Sequence, residues 1–164
     1  MGTRVAGRGN EAAEAGCLAG RLAVDYRPVE ALIPHARNAR THSDAQVARI
    51  AGSIRDYGFT NPVLVDGEMG IIAGHGRVMA ARKLGLATVP VIELAHLTEA
   101  QKRAYVLADN RLAEEAGWDR EMLALELGDL RDMGVDLTSL GFEAGEIDAL
   151  FRAAEADPRE DLVP

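Results

Sequence analysis

The stretch of residues 70–85 constrains this chain most, because it reads as a buried strand, a glycine turn and a helix in succession. The apolar run 71–73 suits a buried strand and is too short for a helix. Gly74 and Gly76 then allow a sharp turn and a close approach of the backbone to a ligand. From Arg77 onward, apolar residues recur at helical spacing. The N–H groups at the start of such a helix suit an anion, especially a phosphate, and Arg77 adds a positive charge.

Composition limits the class of protein. The 164 residues favour one domain with an appended helical piece, and a hydrophobic fraction of 48% is ample for a core. A net charge of -8 argues against a generally basic, DNA-coating protein, although a local patch can still bind nucleic acid. Cys17 is the single cysteine, and no apolar run approaches the roughly 20 residues of a membrane helix. We therefore expect a cytoplasmic protein without an export signal.

The remaining pattern predicts an α/β (α+β) fold with a small mixed sheet flanked by helices. The predicted strands lie near Val24, Val63, Ile71 and Val91, and the predicted helices begin at Ser43, Arg77 and Thr98. Both Ser43 with Gln46 and Thr98 with Gln101 have capping-box spacing, and Asp66-Gly67 predicts a hairpin turn. The helix from Thr98 is expected to end near Leu107.

Four regions follow from this pattern. Residues 1–20 are glycine-rich and predict a flexible tail, and residues 21–115 form the main domain. Residues 116–154 predict a helical extension in which Trp118 is a packing anchor. Residues 155–164 resemble a linker, which suggests that the chain was cut from a longer protein.

Two polar segments can each be interpreted in two ways, as part of a binding site or as ordinary solvent-exposed structure. The loop 34–42 contains Arg37 and Arg40 and is either a solvated loop or a source of charge for the anion that Arg77 attracts. In the segment 108–114, Asp109 could hold a metal ion or a sugar hydroxyl, and Asn110 can both donate and accept hydrogen bonds. The alternative is an ordinary helix end with exposed charges.

Several segments in order resemble one family, the ParB/sulfiredoxin-like superfamily in its ParB-like nuclease domain version. They cover about Val24 to Asn110, and they are Leu32-Ile33-Pro34 with Asn38-Ala39-Arg40, then Ile54-Arg55-Asp56-Tyr57-Gly58, Phe59-Thr60-Asn61-Pro62-Val63-Leu64-Val65, Gly74-His75-Gly76-Arg77-Val78-Met79-Ala80-Ala81 and Leu107-Ala108-Asp109-Asn110-Arg111.

The resemblance implies a nucleotide site. In ParB proteins the glycine turn reads roughly G-E-R-R-x-R-A and binds the phosphates of CTP with magnesium. Here Gly74, Arg77 and Ala80 match, whereas His75, Gly76 and Met79 differ; Asp109 and Asn110 match the start of the later E-N-x-x-R motif. The implied ligand is CTP or ATP with Mg, and the implied binding residues are Gly74, His75, Gly76, Arg77, Arg40, Asn61, Asp109 and Asn110.

The resemblance also implies DNA association. We expect a weak DNA contact through Arg37, Arg40, Arg49 and Arg55, and a possible homodimer. A helix-turn-helix region is not evident after Asn110, so sequence-specific DNA recognition by this chain is not expected. The sequence of residues 107–119 is similar to that of ParB-like domains of phage and prophage proteins that are fused to DNA methyltransferases.

Alternative functions remain open. The chain could hydrolyse a nucleoside triphosphate (CTPase or ATPase), act as a phosphotransferase like the free serine kinases, act as a nuclease, or serve as an interaction scaffold without a ligand. The catalytic candidates are Asp109, Glu114 and His75, and no metal ligand set is assigned. Methyl transfer is not expected because the cofactor loop and catalytic motif are missing from the sequence. Sulfiredoxin activity is not expected either, since His75 replaces the reactive cysteine.

Overall fold

A computed structural model describes residues 20–38 and 40–156. The predicted tail 1–20, apart from its last residue, lies outside the described residues together with Cys17. Most of the predicted linker 155–164 lies outside them as well.

Four strands form one mixed sheet in the order β1-β4-β2-β3. They are β1 (Val24–Pro28), β2 (Val63–Val65), β3 (Ile71–Ala73) and β4 (Thr88–Glu93). β1 and β4 pair antiparallel, β2 and β3 form an antiparallel hairpin, and β2 runs parallel to β4. All four predicted strands are confirmed.

The hairpin turn between β2 and β3 is closed by Asp66. Its Oδ1 accepts the backbone N–H groups of Glu68 at 2.9 Å and Gly70 at 2.8 Å. These bonds satisfy two backbone donors that the tight turn would otherwise leave without a partner. The predicted Asp66-Gly67 turn is therefore confirmed, and hydrogen bonds to the Asp66 carboxylate stabilise it.

In residues 20–38 and 40–156, five α-helices surround and extend the sheet. They are α1 (Asp44–Tyr57), α2 (His75–Lys83), α3 (Glu99–Glu115), α4 (Arg120–Asp132) and α5 (Ala144–Glu155), with 3-10 helices at Val29–Ala31 and Leu137–Leu140. The capping box of Thr98 and Gln101 is complete. At Ser43 only half of the predicted box forms: Ser43 Oγ accepts the N–H of Gln46, but the Gln46 side chain contacts His42 instead.

Two predicted helix boundaries are wrong. α2 begins at His75, two residues before the predicted Arg77, because Gly74 adopts the left-handed conformation that turns the chain into the helix. α3 continues through Asp109 and Asn110 to Glu115 instead of ending near Leu107. Alanine, leucine, arginine and glutamate dominate 107–115, and these strong helix formers outweigh the two short polar residues.

The described residues form three hydrophobic clusters, of which the smallest packs α1 against α2 through Val47, Ala51 and Ala80. The largest lies between the sheet and its helices, and its fully buried members include Val63, Val65, Ile71, Val78, Val89 and Val91. The other belongs to the C-terminal helices and is formed by Leu127, Leu137, Ile147 and Leu150. The predicted α/β class with a helical C-terminal extension is confirmed. Within the described residues, no helix has both the length and the apolarity that a membrane span requires.

Candidate functional site

A cleft of about 260 Å³ opens where the β3–α2 turn, the loop before α1 and the middle of α3 converge. Its lining contains, among others, Arg40, Gly74, His75, Gly76, Arg77, Asp109 and Asn110. Seven of the eight residues predicted to bind phosphate therefore lie around one cavity. Asn61 is not part of the lining, although its neighbour Pro62 accepts a hydrogen bond from Arg77 Nη2 at 3.1 Å.

The turn into α2 supplies backbone donors to this cleft. Gly74 is the N-cap of α2 with φ +106°, and it has no side chain with which to cap the helix. The first backbone bond runs from Val78 N–H to Gly74 O at 3.0 Å. Among the described residues, the N–H groups of His75, Gly76 and Arg77 have no hydrogen-bond acceptor. Free N–H groups at a helix N-terminus attract anions.

The helix start is packed tightly at Gly76, so a Cβ there would have to displace neighbouring side chains by a few tenths of an ångström. A Cβ built on Gly76 would lie 3.0 Å from the His42 ring and 3.0 Å from Ile50 Cδ1. His42 is in turn fixed by Gln46, whose Oε1 lies 3.2 Å from His42 Nδ1. His42, Gln46 and Asn38 also line the cleft, and sequence reasoning did not assign them to it. Gln46 was hidden because its spacing from Ser43 indicated a cap.

Arg77 is partly buried beside the turn. Burial lowers the pKa of its guanidinium, and the nearby carboxylate of Asp109 offsets part of this shift. Arg77 Nε is buried and has no partner among the described residues. An arginine stays protonated in proteins, so an uncompensated N–H of this kind favours an incoming acceptor.

Arg40 connects the basic loop with α3. Its Nη1 donates to Asn110 Oδ1 at 3.0 Å, and Asn110 Nδ2 donates to Val106 O at 2.8 Å. Arg40 itself is exposed, so its guanidinium can change partners without loss of packing. Arg40 therefore contacts the Asp109–Asn110 segment directly.

His75 lies at the first position of α2 and is partly buried. Its Nε2 accepts the backbone N–H of His35 at 3.1 Å, so the neutral ring carries its proton on Nδ1. Burial, and then the neighbouring His35 and His42, lower the pKa of His75 below its usual value. The ring is therefore neutral near neutral pH, and its Nε2 is occupied as an acceptor.

The other two catalytic candidates, Asp109 and Glu114, do not lie in the same site. Of the described residues that line the cleft, Asp109 is the one carboxylate, and the Tyr105 hydroxyl lies 3.5 Å from its Oδ1. Burial and then Asp109 raise the pKa of that hydroxyl. Glu114 lies outside the lining and pairs with Arg111 at 3.6 Å.

The arginines predicted to contact DNA do not form one group. Arg37 and Arg40 lie in the loop before α1, whereas Arg49 and Arg55 lie on α1. Six residues apart on a helix, Arg49 and Arg55 point in different directions. Arg49 forms an ion pair with Glu143, the residue that precedes α5.

The fold and the site together define a class of protein, namely a mixed-sheet domain with a cationic cleft at a glycine turn. The ParB N-terminal domain model matches residues 19–111, and the ParB-methyltransferase HTH domain model matches residues 121–164. The chain belongs to the ParB N-terminal domain family, which confirms the resemblance seen in the sequence.

Individual relatives agree. The ParB-like nuclease domain-containing protein YnaK of Escherichia coli (strain K12) is 55% identical over 83 residues, which are 51% of this chain and 95% of that protein. The nucleoid occlusion protein of Geobacillus thermodenitrificans is 33% identical over 129 residues, 73% of this chain and 46% of that protein. The chain thus spans less than half of the nucleoid occlusion protein.

A solved structure shares the fold. The C-terminally truncated chromosome-partitioning protein ParB of Caulobacter crescentus, complexed with CTP-gamma-S, has a TM-score of 0.67 and 22% identity. The match covers 83% of this chain and 81% of that one.

The expectation that no helix-turn-helix region follows Asn110 is wrong, because a helix-turn-helix family model matches 121–164. The signal was hidden for a physical reason. The connection between α4 and α5 takes the eleven residues 133–143, which is far longer than the three- or four-residue turn by which such motifs are recognised.

Proposed function

We propose that this chain is a ParB-like module that binds a nucleoside triphosphate in the cleft, with the phosphates at the Gly74–Arg77 turn. One observation carries the proposal: three N–H groups without acceptors, Arg40 and Arg77 converge on one cavity in a chain of net charge -8. Two arginines against one carboxylate make this cavity locally positive. The relative from Caulobacter crescentus was solved with CTP-gamma-S, which makes CTP the first candidate and ATP the second.

The residues present fit a magnesium ion held mainly by the nucleotide. Magnesium is usually bound by one or two carboxylates together with substrate phosphates, and Asp109 offers one carboxylate. When bound, the ion would neutralise phosphate charge. Within the described residues, no group of three His, Cys, Asp or Glu side chains could hold a metal alone. The nuclease alternative, which needs such a cluster, therefore has no support from the described residues.

The test is calorimetric titration of the full chain with CTP, ATP and ADP, each with and without magnesium. Arg40→Gln removes a charge at the cleft, and Arg37→Gln removes one from the same loop outside it. A charge-assisted hydrogen bond contributes about 1.5–3 kcal/mol, so Arg40→Gln should weaken binding by about 10- to 100-fold. Arg37→Gln should bind like the wild type. If the folded protein binds no nucleotide, the proposal is refuted. If both variants lose the same nucleotide affinity, the nucleotide does not bind in the cleft.

The same titration separates the enzymatic alternatives. Preference for CTP supports the ParB-like proposal, whereas preference for ATP favours a phosphotransferase related to the free serine kinases. Release of inorganic phosphate by the pure protein, abolished in Asp109→Asn, would add triphosphatase activity. Retention of phosphate release in that variant would exclude Asp109 from the reaction.

DNA association and dimerisation are part of the same proposal. The names of the matched family model and of the nucleoid occlusion relative point to work on DNA beside a methyltransferase or a partition-type protein. Arg37, Arg40, Arg49 and Arg55 would supply weak, salt-dependent phosphate contacts. A homodimer is supported by α3, none of whose residues is buried and which exposes Leu107 and Leu112. Light scattering with and without CTP tests this, and a monomer under both conditions would reject it.

A further inference from the structure

The negative charge of the chain is concentrated at its C-terminal end. Residues 116–156, here called the C-terminal unit, contain ten Asp and Glu against three Arg, a net charge of -7 out of -8 for the chain. The preceding residues 20–115 are nearly balanced, with eleven acidic and twelve basic side chains. The part of the chain that matches a helix-turn-helix model is therefore its most acidic part.

Two of the three arginines of this unit already have partners inside it. The guanidinium of Arg131 lies over the Phe151 ring, 4.8 Å from its centroid, and Arg152 Nε donates to Asp148 O at 3.2 Å. α5, the second helix of the unit, contains three acidic side chains and one arginine. Proteins bind DNA by neutralising phosphates with Lys and Arg, so this composition opposes DNA binding.

The C-terminal unit instead presents an apolar groove. A cavity of about 210 Å³ between α4 and α5 is lined by Trp118, Leu123, Phe142 and Leu150, with Arg120 and Glu146 as its charged members. The Trp118 and Phe142 rings have centroids 5.7 Å apart, yet Trp118 remains 70% exposed. An aromatic side chain at the mouth of an apolar groove is typical of the residues that dominate binding energy at protein interfaces.

We propose that this groove binds a cationic, amphipathic helical segment of a partner protein rather than DNA. An apolar side chain of the segment inserts beside Trp118. Its Lys and Arg residues face Glu146 and the exposed Asp119, Glu121 and Asp148, which outnumber Arg120 along the sequence that forms the groove. Charge complementarity selects this occupant, because a second copy of the unit would bring two charges of -7 together. DNA is disfavoured for the same electrostatic reason.

Trp118 is the single tryptophan of the chain, so its fluorescence reports on the groove directly. The full chain is titrated with a Lys/Leu peptide that forms a one-sided amphipathic helix, with a scrambled peptide of identical composition, and with a random DNA duplex. The helical peptide should cause a saturable blue shift, because it buries the exposed indole. The scrambled peptide should bind about tenfold more weakly. The duplex should leave the emission unchanged at physiological salt.

Variants locate the contact. With a fluorescein-labelled helical peptide, Trp118→Ala should weaken binding by about 30-fold. Glu146→Gln keeps the acceptor for the N–H of Glu143 and should weaken binding by about threefold. Glu30→Gln, an equal charge change in the main domain, is the matched control and should have no effect.

Four results would overturn the proposal. They are no blue shift with the helical peptide, equal binding of both peptides, wild-type affinity in Trp118→Ala, and a saturable Trp118 shift with DNA. A shift that depends on the concentration of the chain alone would assign the groove to self-association instead. None of these readouts depends on nucleotide binding.

Discussion

Gly74→Ala tests the turn that the nucleotide proposal depends on. Gly74 has φ +106°, and a Cβ there would lie 2.9 Å from Arg77 Nη2 and 3.3 Å from its Cζ. A left-handed conformation costs an alanine about 1–2 kcal/mol, and the smaller unfolded-state entropy of alanine offsets about 0.4–1 kcal/mol. The net loss of about 1 kcal/mol should lower Tm by about 2–4 °C. The Cβ should also push the Arg77 guanidinium away from Pro62 O and out of its present place in the cleft.

Gly85→Ala separates backbone strain from displacement of Arg77. Gly85 follows α2 with φ +70°, and a Cβ there would meet no atom within 4 Å. Both variants should lose similar stability in a urea titration, but only Gly74→Ala should lose nucleotide affinity in calorimetry. Nucleotide affinity should fall at least tenfold, because one charge-assisted hydrogen bond contributes about 1.5 kcal/mol. Wild-type affinity in a folded Gly74→Ala protein would refute the assignment of the phosphates to this turn.

Three further perturbations follow. Because burial lowers the pKa of His75, the unfolded chain binds more protons than the folded one, and stability should fall as the pH drops through about 6.5. His75→Gln keeps an acceptor and should flatten this slope in urea titrations at pH 5.5 and 7.5, whereas an unchanged slope would exclude His75 as its source. Asp66→Ala removes the acceptor of two turn N–H groups and should cost about 2 kcal/mol in the same assay; a loss below 0.5 kcal/mol would contradict this role. Glu143→Gln frees Arg49 and should steepen the salt dependence of DNA binding by about 0.9 in log–log slope. Glu155→Gln, which removes the same charge away from Arg49, should not, and equal slopes would argue against Arg49 as a phosphate contact.

Local patterns predicted the main domain well because its elements are specified locally. The strands coincide with short β-branched runs, and the Thr98 capping box and the Asp66 turn depend on residues within a few positions of each other. The glycine turn was found because Gly74 allows a conformation that other residues resist. All the residues that produce such a signal lie within one short segment of the sequence.

Features that depend on contacts between distant segments were missed. Nothing near Gln46 indicates that its side chain turns to His42, or that His42 closes against the backbone of Gly76. Arg40 and Asn110 are seventy positions apart, and only folding of α3 over the cleft brings them together. The length of α3 was underestimated because Asp109 and Asn110 resemble a helix end when their neighbours in space are unknown.

The net charge of -8 combines two regions with opposite consequences. At physiological ionic strength, charges separated by more than about 8 Å are largely screened from each other. Binding of a phosphate in the cleft therefore depends on Arg40, Arg77 and the N–H groups of the turn. Binding of a ligand at the groove beside Trp118 depends on Glu146 and Arg120 in its lining and on the carboxylates next to them. α1 adjoins both regions, since Gln46 lines the cleft while Arg49 pairs with Glu143. The composition of the whole chain thus argues against a generally basic, DNA-coating protein but decides neither site. Binding of each proposed ligand depends on the charges within a few ångströms of it.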